Sequence, residues 1–231
     1  LEREKENESL ARRAFAGVIG LVIAIAIALV LSSWTFTFWQ GWLYLATFGT
    51  CVTLITLYLV RHDPELLQRR LNAGASAEKG AAQKFIQTIS ALLAMAFIIV
   101  PGVDHLLAWS SVPTFVILIG NLLVILGFGL VFLVFRENSF TSAIVDVEVE
   151  QHVVSTGPYA IVRHPMYDGA LLIFLGTPIA LGSWWGLILM VPITAAITAR
   201  LLDEEKYLSI HLLGYEDYLA RVQSRLLPGL W

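Results

Sequence analysis

Apolar stretches at about 14–32, 39–60, 85–109, 114–135, 167–182 and 184–202 occupy most of the 231-residue chain. Most approach the roughly 20 residues that a helix needs to cross a hydrocarbon core, where every backbone polar group must be satisfied internally. Hydrophobic residues make up 57% and charged residues 14%, against roughly 45–50% and 25% in a soluble globular domain. The pattern predicts an all-α, polytopic helical membrane protein of about six transmembrane helices with a small cytoplasmic cap. The stretches 85–109, with Pro101, Asp104 and His105, and 167–182, with Pro178, are the least regular. The pair 167–202 is compatible with two full spans or with a re-entrant hairpin, and either returns the chain to the same face.

Charge placement sets the expected sidedness. The 15 Lys and Arg residues fall in four pieces, with four in 1–13, five in 61–84, two in 136–166 and four in 200–231. The intervening loops 33–38, 110–113 and Gly182-Ser183 carry none. The positive-inside rule then puts both termini and the loops 61–84 and 136–166 in the cytoplasm. The run after Arg12-Arg13 ends at Ser32-Ser33-Trp34 without a small-residue cleavage site, so it is read as a retained first span. A net charge of −3 without a basic domain argues against nucleic acid as a partner. The single cysteine, Cys51, rules out an internal disulfide, and the five histidines have no paired ligand spacing, so no metal is expected.

Between the spans, Asp63-Pro64 predicts the start of an interfacial helix with Leu66, Leu67 and Leu71 toward lipid and Arg69 and Arg70 toward water. Val145, Val147 and Val149 alternate with Asp146, Glu148 and Glu150, the period of an extended ribbon. Gly120, Gly127, Gly129 and Asn121 predict close helix packing in the fourth span with an interhelical hydrogen bond. Asp104 and His105 are read as wet groups at a loop edge. The last span runs without a breaker through "TARLLDEEKYLSIHLL" and is expected to continue as one helix to Gly214. No repeat or long linker divides the chain, which is expected to be one domain, 1–231, with N-terminal helices in 1–135 and a functional half in 136–231.

Residues able to carry chemistry gather before the fifth span (His152, Tyr159, Arg163, His164, Tyr167) and after the sixth (Arg200, Glu204, Glu205). Each taken alone has an ordinary explanation. Arg200 and Glu204 are four apart on a helix, and spacing alone favours their pairing with each other. His164 reads as a hydrogen-bonded loop histidine, Arg163 as an anchor to lipid phosphate, and the tyrosines as part of an interfacial aromatic belt.

In combination, "VVSTGPYAIVRHPMYDG", "RLLDEEKYL" and "GYEDYLARVQSRLLPGLW" resemble, in order over 138–231, the isoprenylcysteine carboxyl methyltransferase family, membrane enzymes related to phospholipid methyltransferases. The resemblance implies S-adenosylmethionine as methyl donor, bound on the cytoplasmic side, and a lipophilic or prenylated acceptor arriving from membrane lipid. It implies that Gln151, His152, Val153, Val154 and Tyr159 line the adenosyl end of the cofactor. His164, Pro165, Met166 and Tyr167 would wrap it, and Glu204 would meet its amino-acid portion. Arg200 corresponds to a substrate-side arginine and Glu205 to the second acid of the pair, the two catalytic candidates. A carboxylate acceptor, such as that of a prenylated cysteine, would need no general base. A phospholipid amine would need one, with Glu205 or His164 as candidates. Asp168 departs from the small or apolar residue expected between Tyr167 and Gly169. The rival readings are a sterol-reductase-like enzyme that binds NADPH, disfavoured by Met166 and Ala170, and a non-catalytic membrane scaffold.

Overall fold

The structure, a computed structural model, describes residues 2–72, 81–141, 152–229 and 231. Among these residues the regular elements are all helical. They are α1 (Glu2–Ser33), α2 (Trp39–His62), α3 (Pro64–Leu71), α4 (Ala81–Leu107), α5 (Thr114–Glu137), α6 (Pro165–Ala180), α7 (Met190–His211) and α8 (Tyr215–Arg221). Short 3-10 turns at Gly157–Ala160 and Trp185–Leu189 precede α6 and α7. The acidic ribbon expected over 145–150 lies outside the described residues.

Five helices are long and apolar enough to cross a membrane: α1, α2, α4, α5, and α7 together with its 3-10 turn. The expected fifth span is shorter. With 16 residues, α6 measures about 24 Å at roughly 1.5 Å per residue, less than the roughly 30 Å of a hydrocarbon core. It nevertheless joins the two polar ends of the bundle. At one end Tyr167 meets Glu204 of α7. At the other, Ser183 just beyond α6 meets Asp104 of α4. Pro178 and Pro101 both sit inside helices, and Gly186 nests against the two rings, where a Cβ would lie 2.6 Å from Pro178 and 3.2 Å from Pro101.

Helices α5 and α6 pack through glycine on both sides. A Cβ on Gly127 would lie 2.7 Å from the Gly169 carbonyl, and one on Gly176 would lie 2.7 Å from the Gly120 carbonyl. Backbone meets backbone there, which only residues without side chains permit. Gly129 has open space around its Cβ position and takes no part. Asn121 also departs from expectation: its Nδ2 donates to Ile117 O of its own helix at 3.0 Å, and its Oδ1 is buried with no partner among the described residues. Gly176→Ala is expected to push α5 and α6 apart and cost about 1–3 kcal/mol, whereas Gly129→Ala leaves thermal stability in detergent unchanged or slightly raised. Equal melting temperatures for the two variants would contradict this packing.

The end that carries Asp104 has a sealed polar knot. Asp104 is 1% exposed and accepts from Ser110 N at 2.8 Å, Ser110 Oγ at 2.6 Å and Ser183 Oγ at 2.5 Å. It is a buried fastener between α4 and the turn before α7, not the wet group expected, because three donors replace its water shell. His105 stacks on Phe38 at 4.2 Å. Exposed Trp34, Trp39, Trp42, Trp109, Trp184 and Trp185 surround this end, the arrangement of an interfacial aromatic belt.

At the other end Asp63 caps α3 by accepting from Leu66 N at 2.9 Å, with Pro64 at the first helical position. Leu66 and Leu67 do not face lipid. They are buried against Leu10, Ala14, Leu59 and Phe135, so α3 closes the bundle from below instead of floating beside it. Arg70 is half-buried, its guanidinium 4.6 Å from the Phe135 ring centre, and burial pushes its pKa down to about 10.

Candidate active site

The helix that begins the second cluster is continuous, as the sequence predicts: α7 runs to His211 and ends before Gly214, whose φ of +83° suits a residue without a Cβ. Glu204 and Glu205 are consecutive, so their side chains leave the helix about 100° apart. Each accordingly builds a different structure.

Glu204 faces tyrosines. Tyr167, in the first turn of α6, donates its hydroxyl to Glu204 Oε2 at 2.5 Å. Tyr159, held in the 3-10 turn, accepts from Asn138 Nδ2 at 3.2 Å. Its hydroxyl pKa is raised, chiefly by burial and in part by the Glu204 charge. Tyr215, opening α8, is 4% exposed, and burial followed by the charges of Glu205 and Glu204 holds its hydroxyl well above the ordinary tyrosine range. Its Oη is buried without a hydrogen-bond partner among the described residues. One tyrosine, Tyr167, thus touches the Glu204 carboxylate directly, and the charge of Glu204 reaches Tyr159 and Tyr215 from two further segments. Arg200, one turn before Glu204, approaches the Tyr167 hydroxyl, and its Nη1 donates to Gln83 Oε1 at 3.0 Å and Gln87 Oε1 at 2.9 Å on α4. Gln83 in turn donates to Asp203 Oδ2 at 2.5 Å.

Glu205 faces cations. Its Oε1 lies 2.9 Å from Arg163 Nη1 and 3.2 Å from His164 Nε2, and its Oε2 accepts from Arg225 Nε at 2.9 Å. The side chains of Arg163 and Glu205 are each 9% exposed, so Arg163 is an internal ion-pair partner and not a lipid anchor. The polypeptide beyond α8 completes the hub. Arg163 N and His164 N donate to Ser224 O at 2.9 Å and Arg225 O at 3.0 Å, and Arg163 Nη2 donates to Gln223 O at 2.8 Å. A carboxylate held by two guanidinium groups and a histidine Nε2 is a poor proton acceptor, which bears on the catalytic part expected of Glu205.

The other expected residues divide between surfaces. Val153 packs with Leu212, Tyr215 and Tyr218 under α8, and Tyr218 Oη donates to Tyr159 O at 2.9 Å. Val154 is half-buried, and exposed His152 meets the Phe140 ring edge-on at 5.2 Å. The His164 ring lies 5.7 Å from that of Tyr167. Met166 turns away, into the apolar cluster of Leu59, Leu66 and Phe135. Buried Pro165 lines a separate cavity. Gln151 lies outside the described residues. Tyr215, Gln83, Gln87 and Arg225 were not foreseen as part of this region, since only the return of the chain through α8 and the start of α4 brings them to it.

The cavity, about 630 Å³, runs between α6 and α7 and is walled by apolar side chains including Leu171, Leu172, Leu175 and Met190, with Leu227 and Trp231 from the segment after α8. It lies within the roughly 300–1,000 Å³ of small-molecule sites. Among the described residues no group of three or more His, Cys, Asp or Glu is placed to hold a metal ion.

Residues 115–212 match the family model of phospholipid methyltransferase. The matched span takes in α5, the turn at Gly157–Ala160, α6 and α7. Together with the long apolar helices it supports an integral membrane methyltransferase. No curated protein matches the chain.

Proposed function

We propose that this methyltransferase moves a methyl group from S-adenosylmethionine to a lipophilic acceptor that reaches the site from the bilayer. The observation that carries the reading is the placement of Glu204 among Tyr159, Tyr167 and Tyr215. A carboxylate whose charge reaches three tyrosines from three segments, one of them by a direct hydrogen bond, suits a cation, and a tyrosine ring laid on that cation would add roughly 0.5–2 kcal/mol when desolvated. S-adenosylmethionine carries two positive charges, its sulfonium and its ammonium. The unpartnered Tyr215 Oη and the apolar wall at Val153 fit a ligand with both polar and apolar parts. Glu204, Tyr159, Tyr167 and Tyr215 would hold the donor, with His152, Val153, Val154 and His164 nearby, and Gln151 as the resemblance implies.

The donor supplies an already electrophilic methyl, so the protein has chiefly to align the acceptor and exclude water. Arg200, fixed by Gln83 and Gln87, is proposed to orient the acceptor. Glu205 is proposed to act on position: it locks the Arg163-His164 turn to α7, and thereby the start of α6. The positive-inside pattern supports a cytoplasmic location for this end. The resemblance to the isoprenylcysteine family supports a carboxylate acceptor, whereas the phospholipid methyltransferase match supports an amine.

Purified protein incubated with methyl-labelled S-adenosylmethionine and a membrane lipid extract is expected to place label in a solvent-extractable amphiphile. Absence of both transfer and cofactor binding, or saturable binding of NADPH instead, would overturn the proposal. Arg200→Ala is expected to lower kcat/KM for the acceptor about tenfold or more while cofactor affinity stays within about threefold. Loss of cofactor affinity alone would remove Arg200 from the acceptor side.

A further inference from the structure

The cavity between α6 and α7 has one ionisable lining residue among those described, Asp168. Its surroundings are apolar apart from Thr194 and Thr198 on α7. Among the described residues the Asp168 carboxylate has no hydrogen-bond donor and no ion-pair partner, and the titratable side chain that acts on it, His164, has its Nε2 engaged by Glu205. The nearby guanidinium groups are engaged elsewhere, since Arg163 and Arg225 both bind Glu205, and neither lines the cavity. A half-buried acidic group with no ion-pair partner therefore stands on the wall of an otherwise greasy slot. Asp168 is also the residue at which this chain departs from the small or apolar side chain expected in its motif.

Burying a charge without a partner is costly, so such a site favours a ligand that brings the opposite charge and disfavours one that brings the same charge. We propose that Asp168 is a specificity residue that admits long-chain acceptors with a cationic amine head and excludes acceptors with a carboxylate head. The apolar walls take the chain and the carboxylate takes the head. This rests on the proposed function for a lipophilic acceptor that arrives from the bilayer; it assigns the slot to that acceptor, and it chooses the amine over the carboxylate.

The test uses the full chain in a neutral detergent without cofactor and measures binding of hexadecylammonium, hexadecanol and hexadecanoate by native mass spectrometry. The wild type is expected to bind the ammonium roughly tenfold or more tightly than the carboxylate. Asp168→Asn, close in shape, is expected to bring the two within about threefold, and Asp168→Glu to retain the preference. Leu172→Trp, which fills the slot, is expected to weaken all three amphiphiles. The proposal is overturned if the wild type prefers hexadecanoate, if none of the three binds, or if Asp168→Asn keeps the full preference while only its melting temperature falls, the mark of a residue that merely favours the start of α6. Repeating the assay with labelled S-adenosylmethionine separates the two readings. Transfer to hexadecanoate by the wild type would sink the Asp168 assignment and leave the methyltransferase standing. Charge selectivity without transfer to any acceptor would do the reverse.

Discussion

Glu205→Ala is expected to destabilise the protein by about 3–5 kcal/mol, because it leaves the shielded Arg163 guanidinium without its counter-charge. The carboxylate has both oxygens engaged, one by Arg163 and His164 and the other by Arg225. Arg163 and Glu205 are almost wholly shielded from water, while Arg225 is 30% exposed and stacks over Trp231 at 5.2 Å. Arg225→Ala should therefore cost less, since Glu205 retains two partners and water reaches the gap. The measurement is the melting temperature of each variant in detergent, alongside proteolysis of the segment after α8, which Arg163 and His164 tie down by backbone hydrogen bonds. A Glu205→Ala variant as stable as wild type would show that the hub does not hold the fold together. If Glu205 instead acted as a proton acceptor, the same variant would lose turnover without losing stability.

Glu204→Gln carries the second large effect, on the cofactor instead of the fold. Glutamine keeps the shape and can still accept from the Tyr167 hydroxyl, so the helix and tyrosines should stay in place. The negative charge is lost, and with it the attraction for a cationic donor. Affinity for S-adenosylmethionine is expected to fall roughly 10- to 100-fold, the loss of one charge-assisted contact of about 1.5–3 kcal/mol. Tyr167→Phe retains the ring and removes only the hydroxyl, so a loss of a few-fold is expected. Calorimetric titration with the cofactor distinguishes these outcomes. Wild-type affinity in Glu204→Gln would remove the glutamate from the site.

The helices were legible because a bilayer demands long, uninterrupted apolar runs: 14–32, 39–60 and 114–135 lie within α1, α2 and α5, and 85–109 overruns the end of α4 at Leu107 only at its last residues. What stayed hidden depends on neighbours that sequence does not reveal. Gly120 and Gly127 announced a close contact, but the opposing Gly169 and Gly176 become their partners only in the register of α6. Asp104 read as wet because its donors, Ser110 and Ser183, come from different loops, one of them far along the chain. Leu66 and Leu67 looked like a lipid-facing stripe because an amphipathic helix is equally content against lipid or against a protein core. The polar clusters at Tyr159–Tyr167 and Arg200–Glu205 were both readable, and so was the continuous helix that brings the second to the bundle end. Their division of labour was not. The 100° between Glu204 and Glu205 separates a carboxylate that meets Tyr167 from one that meets Arg163 and Arg225, but which is which depends on where Arg225 returns.

Ultraviolet cross-linking of methyl-labelled S-adenosylmethionine to the purified protein, followed by mapping of the labelled peptides, tests the shared site most directly. Saturable label is expected on peptides containing Tyr159 to Tyr167 and Arg200 to Tyr215, displaced by excess unlabelled cofactor and reduced in Glu204→Gln. Label confined to the tryptophan-ringed end around Trp109 and Trp184, or no displaceable label at all, would contradict a cofactor site between the α6 turn and the end of α7.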